Sequence, residues 1–138
     1  MLTICKRRAV LVACGLLAGT LSCHSMQPEE LQMRIEIDVY SGRPNPEFHL
    51  NQSLSQELAR MLQGLPAANR EAPEAGLGYR GFVVSETGGS GLPSRLRVFD
   101  GLVINEDAQP AKAFVDSNGA EAWLKQQARQ AGYGTLVN

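Results

Sequence analysis

The chain has 138 residues, enough for a single domain once its opening stretch is set aside. Its 13 basic and 14 acidic residues nearly cancel, and beyond the opening cluster the basic side chains are scattered singly, apart from Arg95 and Arg97. That distribution excludes a nucleic-acid-binding face, which needs clustered positive charge, and a polybasic patch for anionic lipid.

Lys6, Arg7 and Arg8 are followed by an apolar run without charge, Ala9 to Leu21. Its length suits the ~7–15 residues of a signal-peptide core and falls short of the ~20 that span a bilayer. Residues 1–22 are therefore expected to be a signal peptide; a buried helix opening a cytosolic domain is disfavoured by the basic cluster in front. Cys5, Cys14 and Cys23 all lie here, so the folded part has no internal disulfide. Thr20-Leu21-Ser22-Cys23 resembles a bacterial lipobox, which implies that Cys23 is lipidated, becomes the mature N-terminus and anchors the chain to a membrane. The match departs from the usual pattern at Thr20 and Leu21, where Leu and a small residue are common. Leu11-Val12-Ala13-Cys14 fits letter by letter, but it leaves too short an apolar core after Arg8. Ordinary cleavage nearby, giving a periplasmic or secreted protein, is the alternative. Lys6, Arg7 and Arg8 would leave with the signal, and the 10 remaining basic residues face 14 acidic ones, a net charge of about −4. Residues 23–32 then form a short polar tether, and residues 33–138 the single domain.

The domain opens on a strand, Met33 to Tyr40. Met33, Ile35, Ile37 and Val39 alternate with Arg34, Glu36, Asp38 and Tyr40, which predicts one covered face and one toward solvent. The loop Ser41 to Pro46 follows, and Phe48 and Leu50 begin a short extended segment with His49 pointing the other way. Ser53 and Gln56 match a capping box ahead of a helix whose stripe is Leu54, Leu58, Met61, Leu62 and Leu65. Gly64 and Pro66 stop it. Residues 66–78 read as a long surface loop.

Tyr79 to Ser85 has the composition of a second strand, with Gly81 marking a bulge or a close approach. Thr87 to Gly91 is a flexible connection. Arg95 to Ile104 is a third strand, broken at Asp100-Gly101 by either a hairpin turn or a bulge. Phe114-Val115 adds a short edge strand. Ser117 or Asn118 caps a last helix, Ala120 to about Ala131, with Trp123, Leu124, Ala128 and Ala131 on its buried side. The whole predicts an α+β domain: a small antiparallel sheet of three to five strands with two amphipathic helices on one face.

Few residues invite chemistry. The sequence has no HExxH, CxxC or GxSxG pattern and no glycine-rich loop opening a helix, so no cofactor or metal is expected. Glu36, Asp38 and His49 are the one set that would serve a small hydrolase, since carboxylates two apart on a strand share a face; the plainer reading is a solvated row. The Ser41–Pro46 loop differs in kind. Pro44 and Pro46 fix two φ angles and bias Arg43 and Asn45 toward extended backbone, so the loop presents Arg43 at low entropic cost. A guanidinium suits carboxylate or phosphate recognition. The competing reading is a rigid turn in which Arg43 pairs with a carboxylate such as Asp38.

Asp38-Val39-Tyr40-Ser41-Gly42-Arg43-Pro44-Asn45-Pro46 resembles the opening of a set of small bacterial proteins that share the pattern D-V-x-S-G-R-P-N-P. Leu77-Gly78-Tyr79-Arg80-Gly81-Phe82 is similar to a second segment of that pattern. The resemblance implies a recurring domain without an assigned activity, and one surface built from both segments. Ser41, Arg43, Asn45, Asp38 and Arg80 are thus the candidate ligand-binding residues. The expectation is an envelope lipoprotein acting as a non-enzymatic binding or inhibitory module. Its partners would be a membrane, through the lipid anchor, and an envelope protein, with no nucleic acid. A small hydrolase, or a structural surface lipoprotein without a ligand, are the alternatives.

Overall fold

A computed structural model describes residues 30–138 apart from 75 and 88. The expected signal peptide, Cys23 and the tether up to residue 29 lie outside the described residues. In chain order the elements are β1 (Gln32–Ile37), β2 (Glu47–Leu50), α1 (Gln52–Leu62), β3 (Phe82–Thr87), β4 (Arg95–Phe99), β5 (Leu102–Asn105), β6 (Lys112–Val115), α2 (Ala120–Gln130) and a closing 3-10 turn, Gly134–Leu136. The strands form one sheet in the order β2-β1-β3-β4-β5-β6, every neighbouring pair antiparallel.

Three to five strands were too few: the sheet has six. Asp100 and Gly101 both take positive φ, 52° and 70°, as a tight two-residue hairpin turn demands, so one expected strand becomes β4 and β5. Phe48 and Leu50 belong to a paired strand that reaches Ile35 and Met33, and Phe114-Val115 lengthens into β6. The coarse arrangement is still a sheet with separate helices.

The apolar row of β1 (Met33, Ile35, Ile37) is buried with Phe82 and Val84 of β3 and Leu96 and Val98 of β4. Leu58 and Leu62 from α1 and Leu124 and Ala128 from α2 join the same cluster, so both helices cover one face of the sheet. Burying each leucine stabilises by ~1.5–3 kcal/mol. The N-cap of α1 is Asn51, not Ser53: its side chain accepts from the Leu54 amide at 2.9 Å. Ser55 points inward instead, accepting from the Met33 amide at 3.1 Å and donating to the Leu50 carbonyl at 3.3 Å, which ties the helix to β1 and β2. For α2 the capping side chain is Asp116, which accepts from the amides of Ala120 and Glu121 at 2.8 and 2.9 Å; neither Ser117 nor Asn118 does so. Trp123 is half-buried and Ala131 exposed, where both were expected on the buried side. The indole donates to Glu57 of α1 at 3.1 Å, so the ring bridges the helices at their rim.

The second face of the sheet is not the solvated row expected. Val83, Leu102 and Ile104 are buried there, in register with Glu36, Phe99 and Arg97, and Asp38 is only 8% exposed. Much of the cover comes from the loop after α1. Its first residues add to β6, where Ala68 donates to Ala113 and Val115 to Pro66. Arg70 then grips Asp100 at the β4–β5 turn, and Ala72 and Pro73 come to lie beside Arg97 and Phe99.

Candidate functional site

β1 ends at Ile37, and Asp38 follows on the same side as Glu36. Opposite it the chain returns through Arg80 and Gly81. Asp38 donates its amide to the Gly81 carbonyl at 3.0 Å and accepts from the Arg80 amide at 2.7 Å, while Ile37 pairs with Phe82. Two residues therefore stand against one, a bulge. In an unbroken strand Arg80 would share the face of Phe82 and enter the apolar core; the bulge turns it over to meet Asp38. Only glycine fits the turning point. Gly81 has φ +96°, and a Cβ there would lie 2.5 Å from Phe99 Cβ and closer still to the Val98 carbonyl oxygen.

Asn45 holds the loop. Its Oδ1 accepts from the amides of Val39 and Tyr40 at 3.1 and 2.8 Å, and its Nδ2 donates to Glu36 at 2.9 Å and Asp38 at 3.3 Å. The amide thus uses both donors and both acceptor sites. Arg80 reaches across: Nη2 donates to Asp38 at 2.5 Å and to the Tyr40 carbonyl at 2.9 Å, and Nη1 to the Ser41 hydroxyl at 3.1 Å. Four of the five expected site residues (Asp38, Ser41, Asn45 and Arg80) therefore meet, and the two motif segments build one surface.

Arg43 stays outside this cluster. It is exposed, and among the described residues it forms no ion pair. Its guanidinium lies 3.5 Å from the centroid of the Tyr40 ring, a cation–π contact. The partner of Asp38 is Arg80, from the other end of the motif, and with it Arg97.

Arg97, Glu106 and Arg95 complete the cluster and were not among the expected site residues. Arg97 donates through Nη1 to Asp38 at 2.5 Å and through Nε to Glu106 at 2.6 Å; Arg95 donates to Glu106 at 2.8 Å. Burial works against the charged form of Asp38, but Arg80 and Arg97 outweigh it and hold the carboxyl below its usual value. Glu106 is held down in the same way by Arg97 and Arg95. Burial opposes the charge of Arg97 too, and Glu106 and Asp38 more than restore it. The Arg80 value is raised chiefly by its hydrogen bond to Asp38. Carboxylates locked ionised between guanidiniums are poor proton carriers near neutral pH.

The hydrolase set does not assemble. His49 faces Arg34 across the strands, and the hollow of about 360 Å³ that it lines is shared with Gln32, Arg34, Ser85 and Glu86, without Glu36 or Asp38. Glu36 is held by Asn45, and Asp38 by two arginines. Among the described residues no three His, Cys, Asp or Glu side chains are placed to hold a metal ion. No family model, curated protein or solved structure matches the chain, so the function is argued from the site alone.

Proposed function

We propose that the protein is a lipid-anchored lipoprotein of a bacterial envelope whose domain binds a carboxylate- or phosphate-bearing partner through the Ser41–Pro46 loop, without catalysing a reaction. The observation that carries this reading is Arg43, exposed and without a carboxylate partner among the described residues, on a loop that Asn45 fixes with four hydrogen bonds. A guanidinium displayed by a preorganised loop loses little freedom on binding. The loop lies at the opposite end of β1 from the point where the chain enters the sheet. The chain enters the sheet at Gln32 and reaches the loop only after the six residues of β1, ~20 Å further on.

Two measurements test the halves of this reading. Cys23→Ala should leave the protein soluble or unprocessed on fractionation, while Cys14→Ala changes neither; a Cys23→Ala protein still processed and membrane-bound defeats the anchor. Cross-linking of envelope partners should weaken in Arg43→Ala and be competed by free phosphate or carboxylate. Undiminished capture by that variant would leave the loop as architecture.

A further inference from the structure

The sheet's second face carries a cleft of about 430 Å³ that lies beneath the loop after α1. That volume is within the ~300–1,000 Å³ of small-molecule sites. Phe99 and Ile104 form its floor, with Ala72, Pro73 and Ala111 around it, and Asp38, Arg80, Arg97 and Glu106 supply its polar wall. An apolar hollow with a few converging charges suits a ligand with an apolar body and one polar head.

The wall says which head. Nη1 of Arg97 donates to Asp38 and to the Arg80 carbonyl, and Nε donates to Glu106. Nη2 has no hydrogen-bond partner among the described residues, although the side chain is only 21% exposed. Every nitrogen of Arg80, by contrast, is engaged. The cleft's own wall sets two guanidiniums (Arg80, Arg97) against two carboxylates (Asp38, Glu106), and Arg95 joins the ion cluster through Glu106 from outside the lining. A dianion such as phosphate would meet the two resident carboxylates with only Nη2 of Arg97 to receive it. From the unengaged donor, a wall too rich in carboxylate for a dianion, and the apolar floor, we propose that this cleft binds a small monocarboxylic acid, its carboxylate on Arg97 Nη2 and its apolar body over Phe99 and Ile104.

This site is separate from the Arg43 loop, and its test does not depend on that reading. The probes are 3-phenylpropionate and N-acetyl-leucine, each beside its uncharged primary amide, titrated into the isotope-labelled full chain and followed by NMR. The acids should give saturable shifts at Ile104 and Phe99, with the amides weaker by about tenfold, as loss of one charge-assisted hydrogen bond implies. Ala72→Trp, at an exposed lining position, fills the cleft while leaving every residue of the ion cluster unsubstituted and should abolish the shifts; Arg97→Lys, which keeps the charge but alters the donor geometry, should weaken acid and not amide. Arg43→Ala should leave the titration unchanged. Equal affinity for acid and amide would overturn the charge recognition. Absence of saturable shifts with both acids across the millimolar range, or shifts that persist in Ala72→Trp, would overturn the site.

Discussion

One sheet in this molecule is held on its two faces by different physics. The helix-covered face is held by apolar packing, with Met33, Ile35, Ile37, Phe82, Leu58 and Leu124 out of water beside one buried hydroxyl, Ser55. The other face joins a few apolar residues to a chain of charge-assisted hydrogen bonds running from Asn45 through Asp38, Arg80 and Arg97 to Glu106 and Arg95. Apolar burial tolerates small changes of position, because it is nondirectional and scales with area. The network is directional, and a donor removed from it leaves half-buried acceptors without partners. The two faces should therefore fail differently, the charged one at single atoms and with a dependence on pH.

The sharpest way to break the charged face is at the residue that turns Arg80 toward it. Gly81→Ala places a Cβ against the backbone of β4 at a φ of +96°. Strain of that kind is worth ~1–3 kcal/mol, and overpacking adds a further ~1–3 kcal/mol, so a loss of about 4 kcal/mol is expected in urea unfolding. A loss below ~1 kcal/mol would mean that the bulge relaxes freely and that Arg80 needs no such device.

Asn45→Ala comes next. It strips the side-chain partner from the Val39 and Tyr40 amides, and unsatisfied buried groups cost ~1–3 kcal/mol each, giving about 2 kcal/mol for this half-buried pair. Asn45→Asp keeps the acceptor for both amides but sets a third carboxylate beside Glu36 and Asp38. At neutral pH it should be at least as unstable as the alanine variant, and it should regain stability as the pH falls and that carboxylate is neutralised. If Asn45→Asp matched wild type at neutral pH, the Nδ2 bonds would be incidental.

Acid sharpens the comparison further. The folded-state values of Asp38 and Glu106 lie below their ordinary values of 3.8 and 4.5. Below those ordinary values the unfolded chain binds protons that the folded chain does not, so stability falls as the pH drops through them toward the folded values. The urea midpoint should hold near neutral pH and decline from about pH 4.5 downward. Asp38→Asn should be less stable overall but flatter in this window, since one titrating group is gone. A wild-type midpoint indifferent to pH between about 5 and 3 would show that the network contributes nothing beyond the apolar face.

How far these features were legible follows from how local each one is. The alternation of Met33 to Ile37 and the stripe of α1 are periodic signals, and both read through to buried faces. The strand count fell short where the signal was ambiguous: Asp100-Gly101 fitted a turn or a bulge, and the turn splits β4 from β5, while β2 and β6, of four residues each, showed only as short extended segments. The covering of the second face was hidden because residues 66–74 look like any polar, Pro-containing loop until they pair with β6. At the site, Asp38, Ser41, Asn45 and Arg80 were visible as members of two motifs. Arg97 and Glu106 were not, since their bonds to Asp38 and Arg97 depend on strand register. The one available signal was Arg95 and Arg97 on one side of a strand, two like charges that a folded sheet must offset. Arg43 was singled out as distinctive, but its alternative partner, Asp38, belongs to Arg80.

Arg43 carries the smallest expected effect on stability and decides most about function. Every other charged member of the loop region is tied into the sheet, so its loss should register in unfolding. Among the described residues Arg43 forms no ion pair and lies over the Tyr40 ring, and an exposed cation–π contact is worth ~0.5–1 kcal/mol. Arg43→Ala should therefore shift stability by no more than about 1 kcal/mol, while Asn45→Ala shifts it about twice as much or more. Partner capture should show the reverse order for a given loss of stability. Arg43→Lys should recover part of the binding only, because an ammonium lacks the planar fork that engages a carboxylate or phosphate at two points. Tyr40→Phe keeps the ring under the guanidinium and should bind as wild type does, whereas Tyr40→Ala removes the support and should weaken capture while Arg43 is still present. A Tyr40→Ala protein that captures its partner with full strength would show that the guanidinium needs no preorganisation, and the stiffness of the loop would then have to be explained by the fold alone.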